Sequence, residues 1–244
     1  MTKLYKKSEI AFAILWIVAY VVLSSLADQL SGNIGVAKSA TAALQIAMSL
    51  VLFCWIRKNG LSAKYGFCRS RVPAKRFLYY LPLAVIASSS LWNGIGLPYG
   101  RAGAACYVIS MCCVGFLEEV IFRGLLFRAM QKDGLRSAIV ISAVTFGIGH
   151  IVNLFNGSGR DLTSSMIQIA FAILIGFVLV LIFYHGGSLY PCILFHAVNN
   201  ALGAFEVEGS MDAGTAMAID LALIFAVLGG YLLYLVRRFP LRAE

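Results

Sequence analysis

Glu118 and Glu119 stand side by side in the stretch VGFLEEVIFRGLLF (Val114 to Phe127), whose other residues are nearly all apolar. His150, and further along His196 with Asn199 and Asn200, interrupt similar apolar runs. Near the middle of a bilayer, an ionisable side chain costs about 2.5 to 3.5 kcal/mol on insertion scales, so each of these groups calls for a partner or a task. Their chemistry is complementary. A carboxylate such as Glu118 can take a proton from water and later pass it to a leaving amine, and His150 can share or orient that proton. His196 and Asn200 can donate hydrogen bonds to the oxyanion of a tetrahedral intermediate. Glu118, His150 and His196 could instead hold a zinc ion with a position left for water. The sequence leaves these two schemes open, although it has no HExxH pair.

Helical spacing sorts the groups by face, because residues four apart stack on one side. Glu119 and Arg123 form such a pair, which predicts that Arg123 neutralises Glu119 and leaves the carboxylate a supporting role. Glu118 points about 100° away and has no such local partner. His196 stacks with Asn200, and Phe146 with His150. Each group also has a plainer reading. An intramembrane histidine serves as well to bridge helices by hydrogen bonds, and Asp220 reads as a packing or interfacial residue. Coincidence of depth favours chemistry: at about 1.5 Å per residue, Glu118 lies about 15 Å from Arg128 and His196 about 14 Å from Gly187.

The elements that carry these groups must be membrane helices. The chain has 244 residues, 60% hydrophobic and 13% charged, with a mean hydropathy of +0.85. Apolar stretches of the roughly 20 residues needed to cross a bilayer recur along its whole length. The expectation is an all-α polytopic membrane protein of about eight transmembrane helices, at 9–29, 36–56, 77–96, 103–126, 137–155, 165–184, 187–205 and 214–236. No linker or repeat divides it, so residues 1–244 read as a single membrane domain. Of its 20 lysines and arginines, all but Lys38, Arg101 and Arg160 fall on one side of those spans. The positive-inside rule then predicts a cytoplasmic N-terminus and C-terminus. The net charge of +9 thus reports topology and implies no nucleic-acid partner. The six cysteines have no CxxC spacing and read as small apolar packing residues.

Three motifs carry a resemblance: EEVIFR (Glu118 to Arg123) fits EExxxR, FGIGH (Phe146 to His150) fits FxxxH, and HAVNN (His196 to Asn200) fits HxxxN. In this order, on successive apolar helices, the chain resembles the CPBP family of intramembrane proteases. That family includes the type II CaaX prenyl endopeptidases and the bacteriocin-processing or self-immunity Abi proteins. The resemblance covers about 106–204, the motif-bearing core. It implies an intramembrane endopeptidase that hydrolyses a peptide bond of a membrane-associated peptide, of prenylated CaaX or bacteriocin type. By position, Glu118 becomes the water-activating base, His150 its proton-handling partner, and His196 with Asn200 the oxyanion stabilisers, supported by Glu119 and Arg123. The resemblance fits a glutamate base without metal as well as a zinc centre. It also implies membrane lipid as a neighbour and a multi-pass place in the cytoplasmic membrane of a prokaryote. A non-catalytic self-immunity or partner-binding protein is the alternative.

Overall fold

A computed structural model describes all residues except 155–161, 208, 210 and 242–244. Among the described residues the fold is all helical, with one isolated antiparallel bridge between Ile95 and Glu206. After a short helix α1 (Thr2–Lys7) come α2 (Glu9–Ile34) and α3 (Ser39–Lys58). Then follow α4 (Leu81–Ser88), α5 (Gly100–Gln131), α6 (Leu135–Gly149), α7 (Leu162–Gly186), α8 (Tyr190–Leu202) and α9 (Gly214–Arg238). A tighter 3-10 turn, His150–Leu154, continues α6.

Local chemistry sets the boundaries. The Ser8 hydroxyl accepts the Ala11 N–H at 3.1 Å and starts α2, while Gly35, at φ 78°, supplies the left-handed residue that ends it. Asp212 caps the start of α9: its carboxylate accepts the Thr215 hydroxyl at 2.7 Å and the Thr215 N–H at 3.0 Å. Those bonds hold the Asp212 carboxyl below its usual range. The outer face of α2 exposes Ile14, Leu15, Val18, Val22 and Leu26, a surface suited to lipid rather than water.

Six helices, α2, α3, α5, α6 with its 3-10 extension, α7 and α9, are long and apolar enough to cross a membrane. The expectation of eight long helices is corrected at 77–96 and 187–205. In the first, Leu78, Tyr79 and Tyr80 take positive φ (52°, 52° and 60°), and α4 starts afresh with Pro82 in its first turn. Ser88 and Ser89 then turn their hydroxyls back onto the Val85 and Ile86 carbonyls, each at 2.8 Å. In the second, Gly187 at φ 72° delays α8 until Tyr190. Helices of 8 and 13 residues are only about 12 and 20 Å long, short of the roughly 30 Å hydrocarbon core.

Both segments nevertheless run from one end of the bundle to the other. At the end rich in lysine and arginine, the Arg71 N–H donates to the Gly186 carbonyl at 2.8 Å, and Phe77 stacks on Phe239 with centroids 5.1 Å apart. Trp55 bonds Thr2 at 3.1 Å and Lys64 bonds Glu9 at 2.7 Å at the same end. At the far end, the Gly96 N–H donates to the Phe205 carbonyl at 2.8 Å. There the α2–α3 turn meets the start of α5, where a Cβ on Gly103 would come 3.4 Å from that of Ala37. Helix α5 is the axis of the bundle, and every residue from Glu119 to Phe127 is buried.

Candidate active site

The buried stretch Glu119–Phe127 has a π-helical backbone, continuous with the α-helix that ends at Glu118. Wide turns of this kind, inside α-helices, recur at functional sites. Ser142 of α6 donates to the Phe122 carbonyl at 2.9 Å and ties the wide turn to its neighbour. The two adjacent carboxylates are thereby placed at the junction of two backbone geometries.

Arg123 Nη1 bonds Glu119 Oε1 at 2.9 Å, with both side chains wholly buried. The same Oε1 lies 2.8 Å from His196 Nδ1. Glu119 therefore does more than the spacing implied: it also fixes the ring orientation of His196. With Nδ1 held there, Nε2 is left facing Glu118, whose Oε2 is 3.4 Å away. Glu118 Oε1 accepts the Tyr20 hydroxyl at 2.7 Å. The imidazole thus stands between the two carboxylates, bonded to Glu119 while Glu118 Oε2 keeps no hydrogen-bond partner among the described residues, and Glu118 alone of the pair lines a cavity of about 1360 Å³.

His150, His196 and Asn200 line that cavity as well. Phe146 organises the imidazoles: its ring meets His150 edge-on at 5.2 Å and His196 at 5.7 Å, and the Arg123 guanidinium lies 4.2 Å from its centroid. His150 Nδ1 sits 3.1 Å from the Phe146 carbonyl. The Asn200 side-chain carbonyl accepts from Asn199 at 3.1 Å, which turns the Asn200 amide group away from that bond. Asp220 is an exposed residue on the cavity wall.

Two glycines let the helices close around the site. A Cβ on Gly115 of α5 would fall 2.6 Å from the Ala197 backbone nitrogen, so only glycine lets α8 come near enough for His196 to reach Glu119. A Cβ on Gly147 would fall 2.8 Å from the Ile173 nitrogen, which brings α6 and its His150 against α7.

Tyr20 is the participant that motif reading misses, because it lies on α2, far from the three motifs. A signal was present: Tyr20, Ser24 and Asp28 recur every fourth residue along an otherwise apolar helix, a polar stripe on one face. The zinc alternative meets a geometric obstacle. Among the described residues no three His, Cys, Asp or Glu side chains gather as a metal-holding group. Glu118, His150 and His196 form no such group, and the Phe146 ring contacts both imidazoles.

Residues 100–202 match the family model described as Type II CAAX prenyl endopeptidase Rce1-like. That stretch runs from the start of α5 to the end of α8 and contains all three motifs. No curated protein and no solved structure matches the chain.

Proposed function

We propose that this protein is an intramembrane endopeptidase that hydrolyses a peptide bond of a membrane-associated polypeptide with water activated at Glu118. The observation that carries the reading is the buried Glu119–His196 bond at 2.8 Å, with Glu118 3.4 Å from the other ring nitrogen and facing a large cavity. The match of residues 100–202 to a prenyl endopeptidase family model supports the same reaction class.

The charges explain why two carboxylates are used. Arg123 offsets one of them, so a cluster of Glu118, Glu119, Arg123 and His196 becomes neutral when it binds a single proton. That proton is the one hydrolysis needs to move. Glu118 takes it from water as the oxygen attacks the peptide carbonyl, and returns it to the leaving amine nitrogen as the C–N bond breaks. Tyr20 holds Glu118 Oε1 and leaves Oε2 for water. His196, with Asn200 one turn on, faces the carbonyl oxygen as it becomes negative, and His150 lies on the cavity wall as a second proton carrier. Arg123 and Glu119 are positioning residues, acting through His196.

In this account the short helices α4 and α8 complete the crossings of a multi-pass protein whose basic end is cytoplasmic. Helix α1 and the end of α9 at Arg238 lie at that end. Prenylated tails and bacteriocin-type leaders both fit the substrate class.

Purified protein in liposomes should cleave a membrane-associated peptide, whereas Glu118→Gln and His196→Ala should not, with each variant folded by gel filtration. Turnover unchanged by both substitutions would sink the proposal. A non-catalytic immunity role has the polar core in its favour and makes the opposite forecast: Glu118→Gln keeps the protective phenotype.

A further inference from the structure

The cavity has a direction. Several of its exposed wall residues, Gln29, Gly32, Thr163 and Glu206 among them, stand at the far end of the bundle, away from the basic loops. Glu118 and His196 form its inner end, with side chains only 12% and 8% exposed. On the basic side of Glu118, Ile121, Leu125 and Phe183 are packed with at most 2% of their surface exposed, and none of them lines the cavity. Among the described residues, Lys38 is the only lysine or arginine on the cavity wall, and it belongs to the far end. No member of the basic loops reaches the cavity.

A polar track follows the same direction. From Glu118 it passes to the Tyr20 hydroxyl, then along α2 to Ser24, which accepts from Gln45 at 3.3 Å, and to Asp28, paired with Lys38 at 2.9 Å near the mouth. The Ser110 hydroxyl donates to Gln45 at 2.7 Å across from α5. Hydroxyls, an amide and a carboxylate spaced along one wall suit water, which a hydrolase must bring to its base.

Basic residues near helix ends mark the cytoplasmic face. We infer that Glu118 is reached from the opposite face, and that the substrate is a polypeptide segment presented at the non-cytoplasmic side of the membrane. The access route stands on geometry and charge alone; the substrate class rests on the peptidase reading. A peptide confined to the cytoplasm meets the closed end, so of the two candidate substrates the route favours an exported leader over a prenylated tail held on the cytoplasmic side.

The route is tested by thiol labelling, which needs no turnover. The parent carries six cysteines, so the readout is one additional adduct above the parent's pattern. Gln29→Cys stands at the mouth and Lys132→Cys at the basic end, and neither belongs to the catalytic group. A membrane-impermeant maleimide applied to intact cells should add an adduct to Gln29→Cys, and to Lys132→Cys only after permeabilisation. The reverse pattern overturns the inference, as does a Gln29→Cys that stays unreactive in both states while Lys132→Cys reacts. A bulky adduct formed on Gln29→Cys from outside should also stop cleavage of a reporter peptide. Labelling as expected, with cleavage indifferent to Glu118→Gln, would remove the peptidase reading and keep the route.

Discussion

Removing the charge of Glu119 separates two tasks the carboxylate performs at once. Its Oε1 accepts from Arg123 at 2.9 Å and meets His196 at 2.8 Å, in surroundings wholly shielded from solvent. Glu119→Gln leaves the Arg123 guanidinium buried without a counter-charge, a change that costs about 3–5 kcal/mol where one partner of a buried pair is lost. Removing Arg123 alone, as Arg123→Met, strands Glu119 and should cost about as much. Removing both charges is different, because Glu119→Gln together with Arg123→Met leaves no buried charge unpaired. The double variant should therefore regain most of the lost stability, leaving a loss of about 1–2 kcal/mol and a coupling energy of about 5–8 kcal/mol in the cycle. Its activity should not return, since His196 Nδ1 still lacks the carboxylate that orients the ring. The assay pairs the unfolding midpoint in detergent micelles with peptide cleavage in liposomes for the parent, both single variants and the double variant. Additive losses of stability would refute the pairing argument. Full activity in the double variant would refute the claim that Glu119 orients His196.

Three further outcomes follow from the same geometry. Tyr20→Phe deletes a hydrogen bond to a charged group, worth about 1.5–3 kcal/mol, and should lower the unfolding midpoint accordingly and kcat about 10- to 100-fold with KM nearly unchanged; an unaltered kcat would show that Glu118 needs no donor from α2. Gly115→Ala forces α5 and α8 apart and should cost about 1–3 kcal/mol together with most of the activity, whereas Gly32→Ala, where a Cβ meets nothing within 4 Å, should leave both near the parent's. Phe146→Leu removes the ring beneath Arg123 and beside both imidazoles, and a loss of about 2 kcal/mol or more in thermal unfolding is expected from the buried cation–π contact alone.

Periodicity and hydropathy located six of the expected spans to within a few residues, because a helix surrounded by lipid must be apolar over its full length. The same signal overstated 77–96 and 187–205. There apolar composition does not ensure a continuous helix: Leu78 and Tyr79, 39% and 68% exposed, take left-handed φ, and Gly187 turns the chain before α8. Within the site, Glu119 and Arg123 were legible as a pair because four-residue spacing is a local property. The bond from Glu119 to His196 was not, since it spans 77 positions and depends on Gly115 admitting α8. The π-helical turn that begins at Glu119 has no compositional mark of its own. Tyr20 escaped because no motif surrounds it, although its four-residue stripe with Ser24 and Asp28 was on view.

The central claim is that water enters the peptide bond at Glu118. Purified parent protein should be incubated with a membrane-associated peptide in water enriched in heavy oxygen, and the products read by mass spectrometry. The account predicts one heavy oxygen in the new carboxyl terminus from the parent and no product from a folded Glu118→Gln variant. Equal yields of labelled product from the two proteins would contradict it.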